Sequence, residues 1–194
     1  MVVMTLEEQQ IANYLDLLEV WNKIHNLTAI RERNKMLTHH IADSLSVLKF
    51  MPSSGIVLDV GTGAGLPGIP LAIYRPDLQF YLIDSRQKKI NFVQLVIESL
   101  KLTNVFAMSQ RIESLTLAKP AEVIISRAFS SIDKFAKLTM HLADKHTTFV
   151  AMKGKISNAS QEKLPKGFTL VDIQPLTVPG MDEERCVVLF NKNR

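Results

Sequence analysis

The sequence has little cysteine and no long apolar run, and both shortages exclude classes of protein. Cys186 is the one cysteine in 194 residues, which excludes a disulfide framework and a thiolate metal cluster. No apolar run is long enough to cross a bilayer. The stretch Met1–Met4 is apolar but lacks a basic start and leads into Glu7 and Glu8, which is not typical of a signal peptide. We therefore expect a cytoplasmic protein that does not bind membranes.

An excess of one charge is also missing, because the net charge is only +4 with a pI of about 9.2. This balance permits a nucleic-acid partner without requiring one. The cations are concentrated in two segments, which contain Lys23, His25, Arg31, Arg33, Lys35, His39 and His40, and then Lys153, Lys155, Lys163 and Lys166. Solvated faces often have this composition, so charge alone leaves open whether the two segments bind phosphate.

The most informative segment present is an apolar run followed by alternating glycines. Residues 56–70 have the sequence IVLDVGTGAGLPGIP, and the first five are typical of a buried parallel strand. Gly61, Gly63 and Gly65 allow the backbone to turn tightly and to approach a ligand, because they have no Cβ. Leu66–Tyr74 is the predicted helix, whose free N–H groups would face the loop. Strand, glycine turn and helix together predict a pocket of the nucleotide-binding type.

Two acids help to identify the nucleotide. Asp59 precedes the glycines in the spacing D-x-G-x-G-x-G, whereas dinucleotide sites have G-x-G-x-x-G and bind a pyrophosphate. S-adenosylmethionine has no phosphate but carries an ammonium and a sulfonium, so an acid at the strand end suits it. Asp84 ends the next strand and can accept hydrogen bonds from ribose hydroxyls, although NAD enzymes place an acid similarly. Both acids also fit ordinary strand ends, but in this register we favour S-adenosylmethionine.

The pattern after Gly55 predicts the fold class. Strands and helices alternate, which is typical of an α/β protein with a doubly wound, mostly parallel sheet of the Rossmann-like type. Two late apolar segments without a helix between them predict a terminal hairpin that adds an antiparallel strand. The strands are expected at 56–60, 79–84, 104–108, 121–126, 147–152, 168–174 and 185–190, and the helices at 66–74, 86–101 and 131–142.

The residues before this region predict a helical extension. Thr5 and Glu8 form a capping box before an apolar face of helical spacing. A polar elbow follows at 22–34, and a second helix is expected at 36–50. The proline–glycine break at 51–55 is typical of a boundary. We therefore divide the chain into an N-terminal helical extension, 1–54, and an α/β domain with the predicted S-adenosylmethionine pocket, 55–194.

A metal site is conceivable in the second helix but is not favoured. His40 and Asp43 are three residues apart on one face, and His39 adjoins them. Only two of the three can point the same way, and no further ligands cluster nearby. A His40–Asp43 contact that stabilises the helix is the preferred interpretation, and we expect no metal.

Several strings together resemble one family closely, the RsmG (formerly GidB) methyltransferases. The resemblance covers nearly the whole chain in the family's order and spacing. It implies a class I S-adenosylmethionine-dependent enzyme that methylates guanine N7 (guanine 527) in the 16S rRNA of the small ribosomal subunit. The family has a longer N-terminal helix, and an arginine at the position of His39. The strings are WNKIHNLTAI (Trp21–Ile30), HHIADSL (His39–Leu45), DVGTGAGLPGIP (Asp59–Pro70), LIDSRQKK (Leu82–Lys89), ISRAF (Ile125–Phe129) and MKG (Met152–Gly154).

The resemblance also implies roles for individual residues. The cofactor contacts it implies lie in the glycine loop, at the next strand end, around the adenine and after the fourth strand. Together with Asp59, the expected cofactor-binding set is Gly61, Gly63, Gly65, Leu66, Asp84, Ser85, Ile112, Glu113 and Arg127. Arg127 is also our candidate for positioning the base. No general base is expected, because guanine N7 carries a lone pair and no proton.

Contacts with RNA are expected from polar and basic residues near the same edge of the sheet, and we expect a monomer. The sequence does not single out a side chain that stacks on the guanine, although Phe129 is a candidate. Two other functions stay open: an RNA-binding protein that senses the cofactor without turnover, and a methyltransferase of a small molecule or protein. An NAD-dependent reductase is disfavoured by the glycine spacing. The expected RNA contacts are Asn26, Arg31, Arg33, His39, His40, Lys153 and Arg185.

Overall fold

A computed structural model of the protein describes residues 4–127, 129 and 131–193, and its centre is a seven-stranded sheet. The strand order is β3-β2-β1-β4-β5-β7-β6, with β1 to β5 parallel and β7 antiparallel to both of its neighbours. This confirms the predicted doubly wound sheet and its terminal hairpin. The strands are β1 (Ile56–Val60), β2 (Gln79–Asp84), β3 (Val105–Ser109), β4 (Val123–Ser126), β5 (Thr148–Lys153), β6 (Phe168–Leu176) and β7 (Arg185–Lys192).

Helices cover both faces of the sheet, and as a result the central strand β1 is buried along its whole length. Val57 packs in a core with residues of α1, α4 and α5, whereas Leu58 packs in a second core with residues of α6. The α-helices are α1 (Leu6–His25), α2 (Arg33–Met36), α3 (Asp43–Leu45), α4 (Gly68–Tyr74), α5 (Gln87–Leu100), α6 (Ile132–Thr139) and α7 (Ile156–Ala159). Single 3-10 turns are at Leu48–Phe50, Ile112–Ser114 and Met140–Leu142. None of the helices among the described residues is long and apolar enough to span a membrane.

Helix α1 begins with the predicted capping box. The Glu8 amide donates to the Thr5 hydroxyl at 3.1 Å, and the Thr5 amide donates to the Glu8 carboxylate at 2.8 Å. Asn26 ends the helix in the left-handed conformation, with φ of 50°. The apolar face of α1 packs in the same core as the sheet, so the extension stabilises the sheet directly. The division at residue 55 stays a prediction.

The second helix predicted in the extension is present but is not regular. Between α2 and α3, residues Leu37–Ala42 form a π-helical turn, so the prediction of one continuous helix over 36–50 is wrong. The Ser44 hydroxyl donates to the carbonyl of His40 at 2.5 Å, and such hydroxyl contacts compete with the regular helical hydrogen bonds. Widened π turns are frequent at functional sites, and this one leads to the sheet edge described below.

Candidate active site

Two neighbouring clefts lie at the carboxyl ends of the parallel strands, which is where ligands bind in open α/β sheets. The first cleft has a volume of about 440 Å³ and the second about 240 Å³. Gly61 and Lys89 line both, so the glycine loop separates the two. The first cleft is lined by Val60, Gly61, Ile83, Asp84, Ser85, Arg86, Lys89, Gln110, Arg111, Ile112, Glu113, Phe129, Lys134 and Leu138. The second is lined by Leu27, Thr28, Gly61, Thr62, Gly63, Ala64, Leu66, Lys89 and Arg127.

The glycine loop adopts the conformation that its spacing predicts. Gly61, Gly63 and Gly65 have φ values of 74°, 61° and 90°, which residues with a Cβ rarely adopt. The amides of Gly61 and Thr62 donate to the carbonyl of Ile83 at 2.8 and 3.0 Å. The loop is therefore fixed to the end of β2, and its backbone borders both clefts.

Asp59 lies under the glycine loop and lines neither cleft. It is fully buried, and its carboxylate accepts hydrogen bonds from the Thr62 hydroxyl at 2.6 Å and the Gly68 amide at 2.9 Å. Burial raises the pKa of this carboxyl to about 7. The first N–H of α4 is thus used by Asp59, and the helix begins two residues later than predicted. The predicted contact of Asp59 with the cofactor stays a prediction, while its support of the loop is visible.

Asp84 lies in the first cleft and joins the loop to β2. Its carboxylate accepts hydrogen bonds from the amides of Gly63 at 3.1 Å and Arg86 at 2.9 Å, and Lys89 Nζ lies 3.8 Å away. A carboxylate has about four acceptor positions, so these two hydrogen bonds leave capacity for a ligand. Ser85 lines the same cleft, as predicted.

The segment expected near the adenine borders the same cleft. Ile112 and Glu113 lie in the 3-10 turn after β3, with Ile112 buried and Glu113 exposed. The cleft is thus lined by an apolar side chain, by the acid Glu113 and by Asp84. The structure therefore brings together residues of β2 and of the loop after β3 that are separated by almost thirty positions in the sequence.

Tyr14, in helix α1 of the extension, holds the glycine loop in place, and its role was not predicted. Its hydroxyl donates to the carbonyl of Ala64 at 2.9 Å, and the side chain is fully buried. Burial raises the pKa of this phenol well above its usual range, so it donates at every working pH. The residue lies on the apolar face of α1, where nothing in the sequence distinguishes it from an ordinary core position.

Three charged residues form a buried junction between the extension and the sheet edge. Asp43 accepts two hydrogen bonds from Arg185, at 2.7 and 2.9 Å, and one from Arg127 at 3.3 Å. Arg127 also donates to the carbonyl of His39 at 2.9 Å. The Asp43 side chain is only 3% exposed. We call Asp43, Arg127 and Arg185 the arginine junction; through it, Arg127 borders the second cleft in a fixed orientation.

The predicted contact between His40 and Asp43 is wrong. Its Nε2 lies 2.9 Å from the Thr28 hydroxyl, while Asp43 is bound to the two arginines instead. Burial, and next the charge of Arg127, lower the pKa of His40 to about 4. The imidazole is therefore neutral at pH 7, and as a buried neutral group it is not positioned to bind phosphate.

Most of the other predicted RNA-binding cations already have acidic partners. Arg33 lies 2.6 Å from Asp16, and Lys153 lies 2.7 Å from Glu162. His39 lies 3.3 Å from Glu183, and Arg185 belongs to the arginine junction. Arg31 donates to the amide oxygen of Asn26 at 2.6 Å. These contacts leave Arg31 as the member of the predicted set best able to meet an external anion.

Metal ligands are not clustered at this edge. In the described ranges 4–127, 129 and 131–193, no group of three or more His, Cys, Asp or Glu side chains could hold a metal ion. Asp59 and Asp84 instead accept hydrogen bonds from backbone amides, and Asp43 accepts them from two arginines.

The fold is shared with solved methyltransferase structures. A SAM dependent methyltransferase from Aquifex aeolicus is 18% identical with a TM-score of 0.59, over 81% of this chain and 93% of that one. M. jannaschii TYW2 in complex with AdoMet is 17% identical with a TM-score of 0.58, over 79% of this chain and 76% of that one. At this identity, the likeness shows the fold alone.

Sequence comparison identifies the family. A relative from Chromobacterium violaceum, named ribosomal RNA small subunit methyltransferase G, is 44% identical over 90% of this chain and 84% of its own length. A relative of the same name from Cronobacter sakazakii is 40% identical over 97% of this chain and 90% of its own length. The model of the GidB family, described as rRNA small subunit methyltransferase G, matches residues 7–188. The chain therefore belongs to the GidB family.

Proposed function

We propose that the protein transfers a methyl group from S-adenosylmethionine to N7 of a guanine in the 16S rRNA of the small ribosomal subunit. The observation that carries this proposal is the first cleft, where Asp84 and the pair Ile112 and Glu113 face one space beside the glycine loop. The names of the relatives and the cofactor in one structural neighbour support the same activity.

The residues of the clefts fit the parts of this cofactor. Asp84 has free acceptor capacity for ribose hydroxyls, and Ile112 offers an apolar surface for an adenine ring with Glu113 at its polar edge. At the glycine loop, the carbonyl groups of Gly61 and Gly63 would hold the ammonium of the amino-acid end. The amides of Gly61, Gly63, Gly65 and Leu66 already donate to other groups of the protein. When bound, S-adenosylmethionine supplies a methyl group on a positively charged sulfur.

The chemistry requires orientation more than proton transfer. Guanine N7 has an available lone pair and no proton, so the protein needs no general base at the acceptor. Its task is to align N7 with the transferred group and to exclude water, and orientation of this kind contributes roughly 7–11 kcal/mol in well-aligned reactions. His40, neutral and hydrogen-bonded to Thr28, is consistent with a site that moves no proton.

Arg127 is the residue we propose to position the base and the cofactor relative to each other. It lines the second cleft, with its guanidinium held by Asp43 and by the carbonyl of His39. A fixed guanidinium can hold a base or a carboxylate in one geometry. A misplacement of about 1 Å can cost roughly a hundredfold in rate.

The partner and location follow from the proposed substrate. Small ribosomal subunits lie in the cytoplasm, so we propose a cytoplasmic location. We also propose that the protein acts as a monomer.

Methyl transfer to small subunits tests the proposal. Radiolabelled S-adenosylmethionine would be incubated with subunits from cells that lack the protein, using the wild type, Asp84→Asn and Arg127→Ala. We expect label in the RNA with the wild type. Asp84→Asn should weaken cofactor binding about tenfold or more, because a hydrogen bond to a charged group contributes roughly 1.5–3 kcal/mol.

The variants also separate the alternatives. Arg127→Ala should lower the single-turnover rate at saturating cofactor, and a full rate would contradict its positioning role. Cofactor binding without label in any acceptor would indicate a sensing protein without turnover. Label in a small molecule or protein, with none in RNA, would indicate a different substrate.

A further inference from the structure

The first cleft has more positive charge than its proposed ligand requires. Four cations line it, Arg86, Lys89, Arg111 and Lys134, against the two acids Asp84 and Glu113. The four come from the loop after β2, from α5, from the loop after β3 and from α6. The cleft is therefore the meeting point of cations from separate elements.

Three of these cations are exposed and have no partner in the part of the chain that the structure describes. Lys89 is mostly buried and lies 3.8 Å from Asp84. The side chains of Arg86, Arg111 and Lys134 are exposed, and within residues 4–127, 129 and 131–193 none of them forms an ion pair or a side-chain hydrogen bond. They differ in this respect from Arg33, Lys153 and the arginine junction. We call Arg86, Arg111 and Lys134 the cationic rim.

The cofactor does not account for the cationic rim. S-adenosylmethionine carries one carboxylate against an ammonium and a sulfonium, and it has no phosphate. Its single carboxylate belongs to the amino-acid end, which we place at the glycine loop and not at these three cations. The acids Asp84 and Glu113 suit the adenosine part of the cofactor, whereas three free cations at the mouth of a cleft suit a polyanion.

We propose that the cationic rim binds phosphates of the RNA backbone beside the target guanine. This inference rests on the proposed function, since it assigns a role to the edge of the same site. Phosphate contacts fix the register of a nucleic acid without reading its bases. The rim would thus hold the strand next to the clefts, while contacts within the clefts select the base.

The test compares charge removal at the rim with the same change elsewhere. The rim variant carries Arg86→Gln, Arg111→Gln and Lys134→Gln. The control carries Lys101→Gln, Lys145→Gln and Lys166→Gln. These exposed lysines lie after α5, just before β5 and just before β6, at the opposite edge of the sheet. Binding of small subunits from cells lacking the protein would be measured between 50 and 200 mM KCl at fixed Mg²⁺, together with the Kd for S-adenosylmethionine.

We expect RNA binding by the rim variant to depend less steeply on salt, because fewer phosphate contacts release fewer counterions. Three contacts to a single strand should lower the slope of log K against log salt by about 2, and weaken binding at 0.1 M KCl roughly a hundredfold. The cofactor Kd should stay within about twofold of the wild type. The control variant, which loses the same number of charges, should bind RNA like the wild type. A charge-preserving variant, Arg86→Lys with Arg111→Lys, should keep the slope within about half a unit of the wild type.

Two results would overturn the inference. An unchanged salt slope in a folded rim variant would show that these cations meet no phosphate. A parallel loss of cofactor affinity, tenfold or more, would assign them to the cofactor instead. Failure of the proposed function would look different, because the wild type itself would then neither bind nor methylate small subunits.

Discussion

Arginine side chains occur in both the arginine junction and the cationic rim, paired with a carboxylate in the first and, within the described part of the chain, unpaired in the second. At the junction, Arg127 and Arg185 share the buried carboxylate of Asp43. At the rim, Arg86 and Arg111 are exposed and unpaired among the described residues. A cation inside a satisfied network fixes geometry, whereas a free cation can exchange its counterions for a ligand. A basic residue in a sequence is therefore available to bind an anion only if the fold leaves it unpaired.

The sharpest way to break the junction is to remove the carboxylate between its two arginines. Asp43→Ala should lower the free energy of unfolding by about 3–5 kcal/mol, because it leaves the mostly buried side chains of Arg127 and Arg185, 23% and 18% exposed, without their counter-charge. Urea denaturation at pH 7 measures this change. The control is Asp133→Ala, whose carboxylate forms an exposed pair with Lys137 at 2.8 Å and should contribute under about 1 kcal/mol. Equal effects of the two substitutions would contradict the network.

Folding stability should also depend on pH, because a neutral histidine, His40, lies near Arg127 of the junction. The pKa of His40 is lowered from 6.5 to about 4, so between these values the unfolded chain binds a proton that the folded chain does not. The contribution of His40 to folding stability therefore falls as the pH drops through this window, by roughly 2 kcal/mol between pH 7 and pH 5.

Comparison of the wild type with His40→Gln isolates this effect. The raised pKa of Asp59 acts with the opposite sign in the same range, because the folded state holds that proton up to about pH 7. The difference in unfolding free energy between the two proteins removes the contribution of Asp59. Relative to the variant, the wild type should lose stability as the pH falls, and a difference that is constant from pH 7 to 5 would exclude a buried neutral His40.

A smaller effect is expected where the extension reaches the glycine loop. Tyr14→Phe keeps the ring and removes the hydrogen bond to Ala64, which should raise the Kd for S-adenosylmethionine about fivefold, the equivalent of roughly 1 kcal/mol. Isothermal titration calorimetry measures this Kd. Gln10→Ala removes another α1 contact, to the carbonyl of Leu100 at 3.3 Å, and should leave the Kd unchanged. If both variants bind the cofactor like the wild type, α1 does not position the loop.

The smallest effect should come from a paired cation on the surface. Arg33 lies in an exposed pair with Asp16 and near Glu19, so Arg33→Gln should change the unfolding free energy by less than about 1 kcal/mol. The salt dependence of RNA binding should match that of the wild type. A slope reduced by about 0.7 would show that Arg33 meets a phosphate, as its position in the sequence predicted, and would weaken the distinction between paired and free cations.

The fold and the first cleft could be predicted because their signals are local. Alternating strands and helices predicted the sheet, and the glycine spacing predicted a loop whose three glycines have positive φ. Asp84 was predictable since it ends a strand next to that loop. The arginine junction was not, because Asp43 meets partners 84 and 142 positions away. Its spacing from His40 suggested a local contact instead, and the π turn removed the regular helix on which that prediction depended.

The cationic rim escaped prediction for a related reason. Arg86, Arg111 and Lys134 are scattered along the chain, so they form no charge cluster in the sequence, and only the sheet brings them to one cleft. The clusters that the sequence does show, around Arg33 and Lys153, are partly neutralised by acids from other elements. A cluster of basic residues in the sequence therefore did not show which of these residues are unpaired in the fold.

The position of the transferred methyl group distinguishes guanine N7 from every other acceptor. Small subunits from cells lacking the protein would be methylated in vitro, and the RNA would then be treated with borohydride and aniline, which cleaves at N7-methylguanine. We predict one new cleavage site in the 16S rRNA, dependent on the protein and on S-adenosylmethionine. Incorporated label without a new cleavage site would contradict methylation at guanine N7.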